Sequence, residues 1–239
     1  MIKKHYFLPI IFLYVLITSC SSDDDILGQF ELTEYELEVV DYFKEIALGF
    51  EGGNSSEVTR KWGSTMSVYL GGDLTTSLIE KMDSTVFRIN QLATDGFQIE
   101  IVTDPNVSNC YVFYGTESDY LNIFPEDEGR LGPNFAVFRV WWNNNFINRA
   151  RILIATDRAT PEEQESLLLE ELTQSLGFGK DSPRYPNSIF YETATLGGFA
   201  TEYAPIDTDL IRLLYHPDMR VGLNRKGVER TLGEILSSE

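Results

Sequence analysis

Residues 170–181 read E-E-L-T-Q-S-L-G-F-G-K-D. The preceding residues predict that this stretch starts on a helix, because Thr160 is a preferred N-cap, Pro161 suits the first helical position and Glu163 completes a capping box. A buried stripe at helical spacing consists of Leu168, Leu169, Leu172 and Leu176. The opposite, polar face consists of Glu163, Glu170, Gln174 and Gly177. We therefore expect a central helix that ends near Gly177.

The spacing of this stretch resembles the metzincin zinc-protease motif, H-E-x-x-H-x-x-G-x-x-H-D. The glutamate, glycine and aspartate of the motif match Glu171, Gly177 and Asp181. The three histidine positions hold Glu170, Gln174 and Lys180. An ammonium group at the third of these positions repels a dication, so the helix has the spacing of a zinc site without its ligands.

The histidine and cysteine counts limit the chemistry further. After residue 19 the only histidine is His216, and zinc catalysis needs three protein donors, so a three-histidine zinc site is excluded. Apart from Cys20 only Cys110 is left, which excludes a thiolate zinc cage and a disulfide within the domain. We expect Cys110 to pack as a small apolar residue on a strand, and we expect neither a metal nor a cofactor at the motif.

Several segments carry a wider resemblance to zincin-like proteins. They are residues 42–51, 169–177, 186–190 and 207–215. The chain resembles one bacterial lipoprotein family of unknown function more closely than any characterised protease. The resemblance implies an α+β, zincin-like fold: a mixed sheet packed on helices, a central helix that bears the motif, and an irregular C-terminal part. Phe190 occupies the position of the metzincin methionine, a residue that packs below the metal.

The N-terminus matches a bacterial lipoprotein signal peptide. Two lysines precede an apolar run that is too short to span a bilayer permanently, and small residues precede Cys20. We expect cleavage before Cys20, acyl chains on its sulfur, and an acidic tether behind it. The predicted organisation is a signal peptide at 1–19, a lipidated tether at 20–32 and one domain at 33–239. The predicted location is the cell envelope, at the outer membrane or cell surface.

The overall charge narrows the range of partners. The chain has 19 basic and 37 acidic residues, and removal of Lys3 and Lys4 with the signal peptide takes the formal charge from −18 to −20. Such a chain repels phosphate backbones, and it has no basic cluster to overcome the repulsion. We therefore expect no nucleic-acid partner. A peptide, a glycan or an envelope protein, together with the membrane through the lipid, are the expected partners.

The remaining pattern predicts helices and strands along the whole domain. A capping box of Thr33 and Glu36 begins the first helix. Further helices are predicted at 75–92, 207–215 and 228–236. Strands are predicted at 60–70, 97–102, 109–114, 135–142 and 148–155, with a long acidic loop at 115–133. Trp141 and Trp142 stand at a strand end, where they either pack on an edge or stack on a sugar or peptide.

Two functions from different classes follow from these residues. In the first, a catalytically inactive zincin-like domain binds a partner at the cell envelope, and the polar helix face contacts solvent or a shallow cleft. In the second, a metallopeptidase-like hydrolase uses Glu171 as general base at an oxygen-rich site for a hard cation such as calcium or magnesium. The candidate donors are Glu170, Glu171, Asp181 and the amide oxygen of Gln174. A purely structural envelope role and a paired-carboxylate glycosidase stay open. We also predict that Lys180 approaches Glu170 in place of a metal.

Overall fold

The computed structural model describes residues 26–51, 55–193, 196–197 and 199–239. The predicted signal peptide, Cys20 and the first part of the tether lie outside these residues. The helices are α1 (Glu34–Ala47), α2 (Thr76–Leu92), α3 (Glu117–Ile123), α4 (Pro161–Gln174), α5 (Pro205–Leu214) and α6 (Arg225–Leu236). The strands are β1 (Lys61–Trp62), β2 (Met66–Gly72), β3 (Ile99–Val102), β4 (Cys110–Gly115), β5 (Ala136–Asn143), β6 (Phe146–Ala155), β7 (Glu192–Thr193) and β8 (Leu196–Gly197).

The main sheet is mixed and has six strands. Strands β1, β6, β4, β2 and β3 pair in parallel in that order, and β5 pairs antiparallel with β6. The β5–β6 hairpin turns at Asn144 and Asn145, whose φ angles of 49° and 65° suit the asparagine side chain. A second, two-stranded sheet joins β7 to β8. This arrangement confirms the predicted α+β class with a mixed sheet packed on helices.

The main core lies between the sheet and the helices. Apolar side chains of α1, α2, α4 and α5 pack there against the strands, with Leu172 of α4 and Val112 of β4 fully buried. A smaller cluster covers the opposite face of the sheet, where Phe113 of β4 contacts Tyr120 of α3. Because successive side chains of a strand point to opposite faces, adjacent residues of β4 serve the two clusters. Helix α4 is therefore central to the domain, as the sequence predicts.

Local hydrogen bonds explain where α1 and α4 begin. Thr33 and Glu36 form a reciprocal capping box at α1, and Thr160 and Glu163 form one at α4. The predicted helix starts are thus confirmed, because both partners of each box lie within one turn. The structure also has α3 and a short 3-10 helix inside the predicted loop at 115–133, so the prediction of a continuous loop was wrong. Among the described residues, no helix is both long and apolar enough to cross a membrane.

Candidate functional site

The motif stretch leaves α4 through a turn that only glycine fits. Helix α4 ends at Gln174, and Gly177 has a φ of 132°, where a side chain would overlap the carbonyl oxygen of Arg60. The turn brings Asp181 back to the end of the helix. There the Gln174 side-chain N–H donates a 2.6 Å hydrogen bond to Oδ1 of Asp181. The helix thus ends three residues before Gly177, close to the predicted end, and a hydrogen bond joins two polar positions of the motif, Gln174 and Asp181.

Backbone bridges bring two distant segments to the same place. Glu51 follows α1 and donates its N–H to the carbonyl oxygen of Gly179 at 2.9 Å. Glu192 begins β7, and its N–H reaches the carbonyl oxygen of Ser182 at 3.3 Å. As a result one carboxylate oxygen each from Glu51, Asp181 and Glu192 lie within 4.8 Å of one another. We call these three residues the carboxylate cluster.

Glu171 interacts electrostatically with Asp181 and Glu192 of the carboxylate cluster and is more buried than the sequence suggests. Its side chain is only 7 % exposed, and its Oε2 has no hydrogen-bond partner. Burial, and then the charge of Asp181, raise the pKa of Glu171 to about 8, although a hydrogen bond from the Phe138 backbone lowers it in part. Gln174 is only 4 % exposed. Of the two predicted alternatives for the polar helix face, contact with solvent does not hold at Gln174, whereas a hydrogen bond within the site does, because the turn after α4 covers it.

The pKa values of the surrounding carboxyl groups are raised as well. Burial, and then a hydrogen bond with Glu192, raise the pKa of Asp181 to about 8. Burial, and then the charges of Glu171 and Asp181, raise the pKa of half-buried Glu170 well above its usual range. Among the described residues, no lysine, arginine or histidine forms an ion pair with any of these carboxylates. The site therefore crowds carboxyl groups together without a basic side chain, and their raised pKa values favour the protonated forms.

Lys180 does not supply the missing positive charge. Its Nζ lies 3.2 Å from Oε1 of Glu57, and this is its one ion pair among the residues that the structure describes. The predicted approach of Lys180 to Glu170 was wrong, because the turn after Gly177 directs the lysine side chain outward. Arg184 likewise pairs with Glu45 on the rim. Both cations line an open depression beside Asp181, together with Asp41, Lys44, Glu45 and Arg225.

The residues at the motif do not fit a zinc ion of the metzincin kind. The second ligand position, Gln174, directs its amide N–H at Asp181, and the third, Lys180, lies on Glu57. The first position, Glu170, is the only one of the three that carries an anionic donor. Zinc requires at least three protein ligands in tetrahedral geometry, and it prefers imidazole nitrogen or thiolate sulfur to an amide oxygen. We therefore derive no chemistry from zinc at this site.

The other predicted residues lie away from the cluster or pack as expected. Phe190 is fully buried and packs against Phe178 with ring centroids 5.4 Å apart, which confirms its packing role. Cys110 is fully buried on β4, and burial raises the pKa of its thiol far above the usual range. His216 accepts a hydrogen bond from the Asp218 backbone N–H. Cys110 is thus unsuited to attack a substrate.

Arginine side chains pack over the tryptophan rings at the end of β5. The guanidinium of Arg149 lies 3.9 Å from the ring centroid of Trp141, and that of Arg60 lies 4.6 Å from the ring of Trp142. Trp142 also stacks on Phe50 with centroids 5.3 Å apart. These contacts favour edge packing over an open stacking platform for a sugar.

Sequence reasoning missed Glu51 and Glu192. Glu51 lies in the segment that resembles the lipoprotein family, but nothing local connects it with the motif. The available signal was Gly49, whose φ of 93° marks a turn that redirects the chain after α1. The meeting of these carboxylates depends on backbone bridges between segments far apart in the chain.

Comparisons with known proteins give one family match and a likeness to two solved structures. Residues 36–234 match a family model described as "Protein of unknown function (DUF2927)". The chain is similar to two solved structures titled "Structure of myroilysin" and "Crystal structure of myroilysin". The first has a TM-score of 0.41 and 12% identity over 65% of this chain and 95% of that chain. The second has a TM-score of 0.38 and 10% identity over 78% and 97%. No curated protein matches the chain.

Proposed function

Because the chain belongs to the DUF2927 family of proteins of unknown function, which passes on no activity, we propose its function from the site: a zinc-free, catalytically inactive domain that binds a partner at the cell envelope. One observation carries the proposal. The second and third ligand positions of the motif, Gln174 and Lys180, are engaged with Asp181 and Glu57. An amide N–H and an ammonium group are hydrogen-bond donors that offer no lone pair to a metal, and both already have partners within the protein.

The expected partner is a polar peptide, glycan or envelope protein. The depression beside Asp181 is lined by charged side chains of both signs, among them Asp41, Lys180 and Arg184. Charged rims of this kind favour specific polar contacts over burial of a large apolar ligand. Because the mature chain carries a strongly negative formal charge, partners with basic segments associate faster than acidic ones.

The proposal is tested by zinc content and peptide turnover. The full chain is purified without chelator, and its zinc is measured beside its activity on a mixed peptide library. We expect substoichiometric zinc and no turnover above buffer, and the Glu171→Gln variant should behave identically. Stoichiometric zinc, or turnover that Glu171→Gln abolishes, would contradict the proposal.

One observation favours a second candidate function, a metallopeptidase-like hydrolase. Glu171 stands where the zincin glutamate stands, and its Oε2 has no partner in the protein. A general base must reach a water beside the substrate. The burial of Glu171 weighs against that role, because its side chain is almost fully covered. The peptide experiment above separates the two functions.

We propose in addition that the chain is anchored to the envelope through a lipid on Cys20. The proposal rests on the short apolar run and the small residues before this cysteine. In cells, the parent protein should fractionate with membranes. The Cys20→Ala variant should lack the lipid and therefore the additional mass that the lipid gives the parent. Retention of Cys20→Ala in the membrane fraction together with an unchanged mass would overturn the anchor.

A further inference from the structure

We propose that the carboxylate cluster of Glu51, Asp181 and Glu192 binds a hard divalent cation of the size of calcium. This site is distinct from the zinc motif, because two of its three donors lie outside the motif stretch. It goes beyond the proposed function, since it does not depend on which partner the domain binds. It also revises the sequence-based expectation of a site without any metal.

The geometry of the cluster suits calcium. Its three oxygens lie within 4.8 Å of one another. Calcium holds its ligands at about 2.3–2.6 Å, so oxygens on opposite sides of the ion are about 5 Å apart. Magnesium holds them at about 2.0–2.1 Å and requires near-ideal octahedral geometry, whereas calcium accepts the flexible arrangement that side chains from three separate segments offer. Calcium also completes its larger shell with water, and Glu51 and Glu192 are exposed on the side where water is available.

The burial of Glu171 beside the cluster is a second, independent observation. Glu171 is more than nine-tenths buried, its Oε2 has no partner, and the carboxylates that act on it are Asp181 and Glu192. An unpaired buried carboxylate is unfavourable unless a cation or a proton neutralises it. No basic side chain among the described residues does so. A dication at the cluster would take the place of that proton and favour the ionised form of the carboxylates.

The position of the cluster indicates what the cation does. Glu51 belongs to the loop after α1, Asp181 to the turn after α4, and Glu192 to β7. A bound cation joins these three segments at one point, beside the depression that contains Asp181. A ligand that binds only the folded chain stabilises it by mass action. We therefore expect calcium to stabilise the domain and to order the rim of the depression.

The test is calorimetric titration of calcium chloride into the chelator-treated full chain. We expect one site with a dissociation constant of about 0.1–1 mM, the range of extracellular calcium modules. The Asp181→Asn variant should weaken binding at least about tenfold, because it removes one charged ligand. Glu80→Gln on α2 is the matched control: it removes the same charge from an exposed position outside the cluster, and it should bind like the parent.

Thermal unfolding supplies a second measurement. Calcium should raise the unfolding temperature of the parent and of Glu80→Gln, but not of Asp181→Asn. If Asp181→Asn does not fold, Glu192→Gln replaces it, because Glu192 is exposed and its loss leaves the core intact. Absence of both heat and stabilisation in the parent, or an equal calcium response in the cluster variant, would overturn the site. Zinc binding tighter than calcium would overturn it together with the proposed function, whereas loss of calcium binding alone leaves that function standing.

Discussion

At the scale of single residues, Gly177 is the position where the motif leaves its helix. Its φ of 132° is strained for any L side chain, and a Cβ would meet the Arg60 carbonyl oxygen. We expect Gly177→Ala to lower the free energy of unfolding by about 3 kcal/mol or more, because strain and overlap add. Gly96 is the matched control, since its φ is 94° with no atom nearby, and Gly96→Ala should cost only about 1–2 kcal/mol. Equal losses in urea unfolding would contradict the role of the Arg60 contact.

At the scale of elements, the capping box of α4 sets where the motif helix begins. The Glu163 side chain accepts a 2.7 Å hydrogen bond from the Thr160 N–H, and the Thr160 hydroxyl accepts one from the Glu163 N–H. We expect Thr160→Ala to lower the free energy of unfolding by about 1 kcal/mol. Thr160→Ser keeps the hydroxyl and should retain most of the stability. Because the cluster lies at the other end of α4, calcium affinity should stay unchanged in both variants; a weaker affinity in Thr160→Ala would show that the whole helix shifts.

At the scale of the whole molecule, the crowded carboxyl groups make stability depend on pH. In the cation-free chain the pKa values of Glu171 and Asp181 are raised to about 8, chiefly by burial. Unfolded carboxyl groups titrate near about pH 4, so the folded chain binds more protons between these values. The free energy of unfolding contributed by these groups is therefore complete below about pH 4 and is lost as the pH rises to about 8.

Urea unfolding in chelator at about pH 5, 7 and 9 measures this loss. The slope should be smaller in Glu171→Gln, which removes one titrating group, and unchanged in the exposed control Glu80→Gln. Calcium should flatten the slope in the parent, because it favours the ionised carboxylates. Stability that rises across this range in chelator would contradict the raised pKa values.

Prediction from sequence succeeded where the determining contacts are local. The starts of α1 and α4 follow from capping boxes whose partners are three residues apart. Helix α3 was missed because its seven residues are short, acidic and bury only Tyr120, which leaves little apolar periodicity to detect. The predicted contact between Lys180 and Glu170 was wrong because the direction of the lysine side chain depends on the turn at Gly177.

The sequence by itself determined which donors exist: one histidine and one internal cysteine after the predicted cleavage site, and a motif helix without imidazoles. That is a matter of composition and of spacing within a few turns of helix. Only the tertiary structure decided which acids meet. Glu51 and Glu192 reach Asp181 because the bridges from Phe50 to Gly179 and from Ser182 to Tyr191 align segments that are distant along the chain. Such long-range pairing depends on the packing of the whole domain, so no local pattern encodes the carboxylate cluster.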